Sequence, residues 1–274
     1  MKRRSPRAPW VIGSVVLMVS CSGGEALGGG PSGAARPRAS KPSLLLMTYN
    51  VNFGTAGDPD TIELIRAAAA DVVLLQETNP GWERALRAGL ADRYRHMAFH
   101  HSPRRAGGLG FLSRHPLELE QLQESPIGWF PAWRAVVDTP LGRIQLLNLH
   151  LRPPGRDGGS FVRAYFTRQV ERLSETEAHI GLLDPSLPSV VAGDFNEDAR
   201  GRSILFLAGR GLDSALERFH PAQPTWRWQT RMGLVRWQLD HILLGPALRA
   251  TAAWVIDGGA SDHVPVLARI EPGR

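Results

Sequence analysis

Six polar clusters along the 274-residue chain combine carboxylates, amides and imidazoles. They are Thr48-Tyr49-Asn50, Gln76-Glu77-Thr78, Asn148-Leu149-His150-Leu151, Gly193-Asp194-Phe195-Asn196, Leu239-Asp240-His241 and Ser261-Asp262-His263. Each adjoins an apolar run of strand length. The two-residue repeat of a strand puts Asn148 and His150 on one face. Hard oxygen ligands suit Mg²⁺, which keeps several waters and takes one or two carboxylates. Imidazoles and carboxylates also move protons at neutral pH. Taken singly, each cluster has an ordinary structural account. A polar residue after a strand often forms a turn or caps a helix, as Asn196 or Asp198 would for a helix near 200–207. Six together, in a chain whose one cysteine excludes a disulfide framework and a cysteine-based zinc site, point to a site.

Alternating strands and helices must position these groups. Apolar runs predict strands over 44–51, 71–76, 108–112, 132–138, 143–151, 189–192, 239–244 and 264–270. Helices are expected over 61–70 and 82–91, and a longer one over 160–180, where Phe161, Tyr165, Val170, Leu173 and Ile180 recur at helical spacing. Strands apolar throughout are covered on both faces, so the pattern predicts stacked sheets with helices outside. No internal repeat is evident.

In this order the clusters resemble the endonuclease/exonuclease/phosphatase superfamily, which includes deoxyribonucleases, abasic-site endonucleases, sphingomyelinases and inositol polyphosphate phosphatases. Gly110-Phe111-Leu112-Ser113-Arg114-His115-Pro116-Leu117 is similar to its central strand element. The resemblance covers residues 44–270 and implies an α/β fold, a four-layer sandwich of two packed mixed sheets flanked by helices. It implies Glu77 as metal ligand, Asn50 beside it as ligand or orienter, and Asp262 reaching the metal directly or through water. It implies Mg²⁺, with Mn²⁺ as the second choice. Asp194 would orient or deprotonate the attacking water, and Asn196 would bind a phosphoryl oxygen. His263 is expected near the phosphate with Asp240 fixing its tautomer, and His150 is the phosphate donor or leaving-group acid. The division of acid and base work among His150, Asp194 and His263 stays open, as does the choice of one or two metals.

Other residues read more plainly. His241 faces away from Asp240 on its strand and is expected to pack. Trp226, Trp228 and Trp237 are expected to anchor core or loop, with base stacking or lipid contact as the functional alternative. The run from His96 to His101, followed by Arg104 and Arg105, is either a substrate-side loop or a solvated connection. Arg152, Arg156, Arg163 and Arg168 are candidate phosphate contacts. Ile127-Gly128-Trp129-Phe130-Pro131 is either a membrane-facing hairpin or a buried turn.

The N-terminus reads as an address. Lys2, Arg3, Arg4 and Arg7 precede an apolar run from Trp10 to Val19, too short to span a bilayer comfortably. Met18-Val19-Ser20-Cys21 resembles a lipobox, so residues 1–21 are expected to export the chain and acylated Cys21 to anchor it at the periplasmic or cell surface. A plain cleaved signal and secretion are the alternative. Residues 22–43, rich in Gly, Ser and Pro, form a tether, and 44–274 the catalytic domain. The formal net charge of +6 belongs to this leader: from Ser43 onward 25 basic residues, all Arg, face 25 acidic ones. A neutral domain gives no bulk electrostatic argument for nucleic acid. The expected function is a phosphodiesterase, with an exported nuclease as one form. The alternatives are a phospholipid, sphingomyelin-type or small phosphate-ester hydrolase, or a silent binding lipoprotein. A monomer is expected.

Overall fold

The computed structural model describes residues 41–155, 161–230 and 233–273. The signal segment, Cys21, tether residues 22–40 and Arg156 lie outside them. Along the chain run β1 (Leu44–Asn50), α1 (Pro59–Ala68), β2 (Val72–Gln76), α2 (Pro80–Leu90), β3 (His96–His100), β4 (Leu109–Ser113) and β5 (Leu117–Gln123). There follow β6 (Ala132–Thr139), β7 (Gly142–His150), α3 (Phe161–Thr167), α4 (Gln169–Ile180), β8 (Ser189–Asp194), α5 (Arg202–Ala208) and β9 (Asp213–Ser214). The chain closes with α6 (Ala215–Phe219), β10 (Trp226–Thr230), β11 (Gly233–Trp237), β12 (Asp240–Leu244), β13 (Leu248–Val255) and β14 (Val266–Pro272).

The strands form two six-stranded mixed sheets, ordered β13-β14-β1-β2-β4-β3 and β5-β6-β7-β8-β12-β9, while β10 and β11 pair as a separate hairpin. Within each large sheet one pair is parallel, β1 with β2 and β7 with β8. The fully apolar strands have both faces covered, as expected. Leu46, Leu74 and Phe111 of the first sheet pack toward Leu146, Ala192 and Ile242 of the second. Met47, Val73 and Leu75 on the other side of the first sheet lie under Ile65, Trp82 and Leu86 of α1 and α2. Leu147, Val191 and Leu243 meet Ile204 and Leu207 of α5. This is the four-layer α/β sandwich. Burial of this kind stabilises by about 25 cal/mol per Å² of apolar surface.

Polar residues stitch the two sheets. Gln76 Nε2 donates to Asn148 Oδ1 at 2.7 Å, and Asn148 Nδ2 donates to the Leu75 and Gly110 carbonyls at 3.1 and 3.0 Å. Asn148 is therefore a buried cross-brace, and only His150 of that strand face continues into the polar cluster described below.

Local sequence explains where α1 and α2 begin, two residues ahead of the apolar periodicity. Asp58 accepts from Thr61 N with Pro59 as first helical residue, and Asn79 accepts from Trp82 N with Pro80 likewise. The single helix expected over 160–180 is divided. α3 ends at Thr167 and α4 begins at Gln169, and at the break Arg172 Nη2 donates to the Tyr165 carbonyl at 2.5 Å. The two halves serve different neighbours: Tyr165 stacks on Trp237 of β11, whereas Arg172 turns inward. Strands β3, β5, β9, β10, β11 and β13 were not expected, because their sequences are polar or alanine-rich and their ladders depend on partners distant in the chain.

His179 on α4 is 1% exposed, and neither ring nitrogen has a hydrogen-bond partner among the described residues. Burial pushes its pKa down from 6.5 to about 4. Between those values the unfolded chain binds a proton that the folded one refuses, so stability falls as pH falls through 6.5. An orphaned buried donor also costs about 1–3 kcal/mol. His179→Leu is expected to raise Tm, with a gain that widens from neutral pH toward pH of about 5. A pH-independent difference in thermal melts would contradict this.

Candidate active site

The C-terminal ends of the parallel pairs β1/β2 and β7/β8 lie at one end of the sandwich, and the antiparallel β12 brings its first residue to the same level. The registers are direct: Asn50 lies opposite Gln76, His150 opposite Asp194, and Asp240 opposite Asp194. Gly193 permits this. Its φ is +148°, and a Cβ there would stand 1.8 Å from the Leu149 carbonyl oxygen. Glu77 and Asn196 both hold left-handed backbone, φ 60° and 52°, as the chain leaves β2 and β8. For non-glycine residues such backbone persists only where the surroundings over-determine it.

One hydrogen-bonded cluster unites residues from both sheets. Asn50 Nδ2 donates to Glu77 Oε1 and to Asp194 Oδ2, each at 3.0 Å. Glu77 Oε2 accepts from Phe53 N at 3.2 Å, and Asp194 Oδ1 accepts from Asn196 N at 2.9 Å. His263 Nδ1 lies 2.9 Å from Asp240 Oδ2, while its Nε2 lies 3.6 Å from Asp194 Oδ2. His150 Nε2 approaches the same Asp194 oxygen at 3.4 Å. Its Nδ1 is 3.2 Å from the Ala106 carbonyl, so Nδ1 carries the proton. The Asn196 amide donates to the Leu151 carbonyl at 3.0 Å. Asn50, Asp194, Asp240, His150, His263 and Asn196 are all buried, whereas Glu77 and Asp262 are half-buried at the rim. Asp262 is held by Asn52 Nδ2 at 2.8 Å and Trp226 Nε1 at 2.9 Å. All eight sequence-predicted residues thus share one end of the fold.

The electrostatics follow from burial and pairing. Burial pushes Asp194 above the usual carboxylate range, aided by Asp240 and opposed by the His263 charge and the Asn196 and Asn50 donors. Burial alone would lower His263, but the Asp240 and Asp194 carboxylates outweigh it and hold the imidazole above its usual range. His150 is pushed down to about 3 by burial and by the neighbouring His263 charge, so it is neutral. Glu77 is raised by burial, against the Asn50 hydrogen bond.

The donor set fits a divalent cation. Among the described residues, neither Arg nor Lys forms an ion pair with Glu77, Asp194, Asp240 or Asp262. Glu77 and Asp194, both raised by burial and without an Arg or Lys partner among the described residues, favour additional positive charge. Asp194, Asp240 and His263 also place ligand-type atoms within 4.8 Å of one another. There, however, His263 Nδ1 is engaged by Asp240, which reads as a carboxylate–imidazole pair. Glu77, half-buried at the rim, and Asn50 hydrogen-bonded beneath it are the better oxygen ligands.

Several contributors carried no sequence signal. Asn52 orients Asn50 through its own N–H at 3.1 Å and also grips Asp262. Phe130 packs on His150 with ring centroids 4.5 Å apart, so the 127–131 segment is a turn against the cluster. Arg152 and Arg168 are both engaged by Glu171 and are poor candidates for phosphate contacts. His241 packs as expected, with Nε2 on the Glu197 carbonyl at 2.9 Å and its ring edge-on to Phe195.

The family model described as "Endonuclease/Exonuclease/phosphatase family" matches residues 47–263. The chain belongs to this family. No curated protein sequence matches the chain. Among solved structures, an endonuclease/exonuclease/phosphatase from Beutenbergia cavernae is 24% identical with a TM-score of 0.65, over 85% of this chain and 72% of that one. TDP2 of D. rerio, complexed with a single-strand DNA product, is 18% identical with a TM-score of 0.64, over 84% and 99%. A mannosyl-6-phosphatase of Bacteroides thetaiotaomicron is 16% identical with a TM-score of 0.61, over 83% and 99%. At such identities these structures show the endonuclease/exonuclease/phosphatase fold alone.

Proposed function

We propose that the chain is a divalent-metal-dependent phosphoester hydrolase, acting as a phosphodiesterase, with Mg²⁺ as the natural ion and Mn²⁺ as a substitute. The observation that carries this reading is the meeting of Glu77, Asn50 and Asp194 with the Asp240–His263 pair and His150 in one cluster whose carboxylates, among the described residues, pair with neither Arg nor Lys. Glu77 and Asn50 would hold the cation, with Asp262 beside them. A bound cation neutralises phosphoryl charge and steadies the leaving oxygen. Asp194, with its raised proton affinity, is suited to orient the attacking water and accept its proton. His263, kept protonated by Asp240, offers Nε2 to a phosphoryl oxygen. His150 is held by Ala106 and Phe130 with Nε2 facing the same space, as donor to the phosphoryl or leaving oxygen once an anion raises its proton affinity. Asn196 supplies a further amide. Among relatives of the fold, one structure holds a DNA product and another is called a mannosyl-6-phosphatase, so both strand and small-ester substrates belong in the test.

Incubation of the protein with plasmid DNA, a single-stranded oligonucleotide, sphingomyelin vesicles and bis(p-nitrophenyl) phosphate, with Mg²⁺ or with EDTA, tests the reading. Turnover of at least one phosphodiester is expected, with at least a roughly 100-fold loss in EDTA and recovery on adding Mg²⁺. EDTA-insensitive turnover would remove the metal from the mechanism. We also propose export with an acyl anchor on Cys21, supported by the basic and apolar leader. Cys21→Ser is expected to move the protein from the membrane fraction to the soluble fraction, and unchanged partitioning would refute the anchor.

A further inference from the structure

The segment between β3 and β4 carries two adjacent arginines that the cluster above does not use. Arg104 and Arg105 are exposed, and neither forms an ion pair among the described residues. Each guanidinium lies against an aromatic ring: Arg104 over Trp129 at 5.2 Å and Arg105 over Phe53 at 5.0 Å. Both ring-bearing residues adjoin the site. Phe53 donates its N–H to Glu77, and Trp129 precedes Phe130, which packs on His150. The carbonyl of the next residue, Ala106, accepts the hydrogen bond from His150 Nδ1. One short loop therefore holds the His150 tautomer and sets two cations against two different rings.

Arg152 also lies over Trp129, at 4.8 Å, but is engaged by Glu171 and serves to hold the ring. His101 is taken by Glu83 at 2.6 Å. Arg104 and Arg105 are left as net positive charge beside a cluster of carboxylates. A guanidinium lying on a ring keeps its planar N–H edge free for bidentate contact with a phosphate. A cleft of about 260 Å³ lined by Phe53, Thr78, Asn79, His101, Ser102 and Arg105 opens next to Glu77. It gives room for a group attached to the ester under attack.

We infer that Arg104 and Arg105 form a subsite for a second phosphate of the substrate, a group other than the one hydrolysed. The inference rests on the phosphoester-hydrolase reading for its connection to turnover, but its binding chemistry is separately measurable. The substrate class is then a multiply phosphorylated ester, whose second phosphate comes either from a nucleic-acid strand or from a small bisphosphorylated molecule.

Calorimetric titration in EDTA, at one fixed salt concentration, tests this without turnover. Thymidine 3′,5′-bisphosphate is expected to bind roughly tenfold more tightly than thymidine 5′-monophosphate. In the Arg104→Gln/Arg105→Gln variant the ratio is expected to fall to about one. Arg210→Gln, which removes a guanidinium resting on Phe206 of α5, should keep the ratio and so controls for net charge. Equal or undetectable binding of the two ligands by the unaltered protein, or a ratio that survives the double substitution, overturns the subsite. If the ratio is present but no phosphoester is turned over, the hydrolase reading fails and the subsite stands. A further gain with the tetranucleotide (dT)4 assigns the second phosphate to a strand, and equal affinity assigns it to a small ester.

Discussion

His263→Ala is expected to lower kcat by about 10²–10⁴-fold, the usual contribution of a positioned acid–base group, while the circular dichroism spectrum stays native. The imidazole is buried between two carboxylates, with Nδ1 spent on Asp240 and Nε2 facing the Asp194 oxygen. Its loss removes the one cationic side chain that, among the described residues, pairs with both Asp194 and Asp240. Glu77→Ala is expected to match it by removing the rim carboxylate suited to the cation, and tighter Mg²⁺ dependence should accompany the loss. Near wild-type turnover in either variant would refute the site assignment.

The pH profile separates the two partners of His263. Asp194 works as a base only when ionised, and burial raises its pKa, so activity is expected to fall on the acid side above the usual carboxylate range. His263 must stay protonated, and its carboxylate neighbours raise its pKa, so the alkaline limb lies above the usual imidazole range. Asp240→Asn removes the first of those neighbours. It is expected to move the alkaline limb to lower pH, and the acid limb moves down as well, because Asp240 also helps to raise Asp194. An alkaline limb that does not move would show that Asp240 does not control His263.

Arg172→Met is expected to destabilise the protein by about 3–5 kcal/mol, because it strands a buried carboxylate. Arg172 Nε donates to Glu197 at 2.9 Å, and both side chains are 0% exposed. Glu197 also accepts from Ser203 N at 2.8 Å, and a Cβ on Gly201 would collide with it at 2.5 Å. Burial raises the Glu197 pKa and the Arg172 charge opposes this, so without Arg172 the acid must take up a proton or draw in water. Since Glu197 directly follows Asn196, the pair straps the Asp194–Asn196 turn to α4. Arg172→Met should therefore also reduce kcat. In urea denaturation, Arg172→Met/Glu197→Gln should recover more than half of the lost stability, since the pair is then removed together. A single-variant loss below about 1 kcal/mol would mean that the acid finds another partner.

The residues of the cluster were legible because strand ends announce themselves. An apolar run must stop where the backbone leaves the core, and a carboxylate or amide at that point is visible without coordinates. Glu77, Asp194 and Asn50 stand out for that reason. Asn148 misled in part: it shares a strand face with His150, yet it braces the two sheets, since alternation reports which face a residue occupies and not how deep it lies along the strand. The long helix over 160–180 was misread at its centre because periodicity is blind to a guanidinium that turns back on a carbonyl. Strands such as β5, with its alternating Leu and Glu, lack an apolar signature because an edge strand is half solvated.

The sequence by itself determined the layered α/β architecture, the oxygen-and-imidazole chemistry, the leader pattern and the neutrality of the domain, for these depend on residue type and local repeat. Tertiary structure decided which groups touch. The Asp240–His263 pair spans 23 residues and the Asn50–Asp194 bond 144. Arg172 reaches Glu197 and strips the surface of one more cation, whereas Arg104 and Arg105 keep theirs. Identical arginines read alike in a sequence, and only the neighbours brought by folding distinguish a buried strut from a waiting charge.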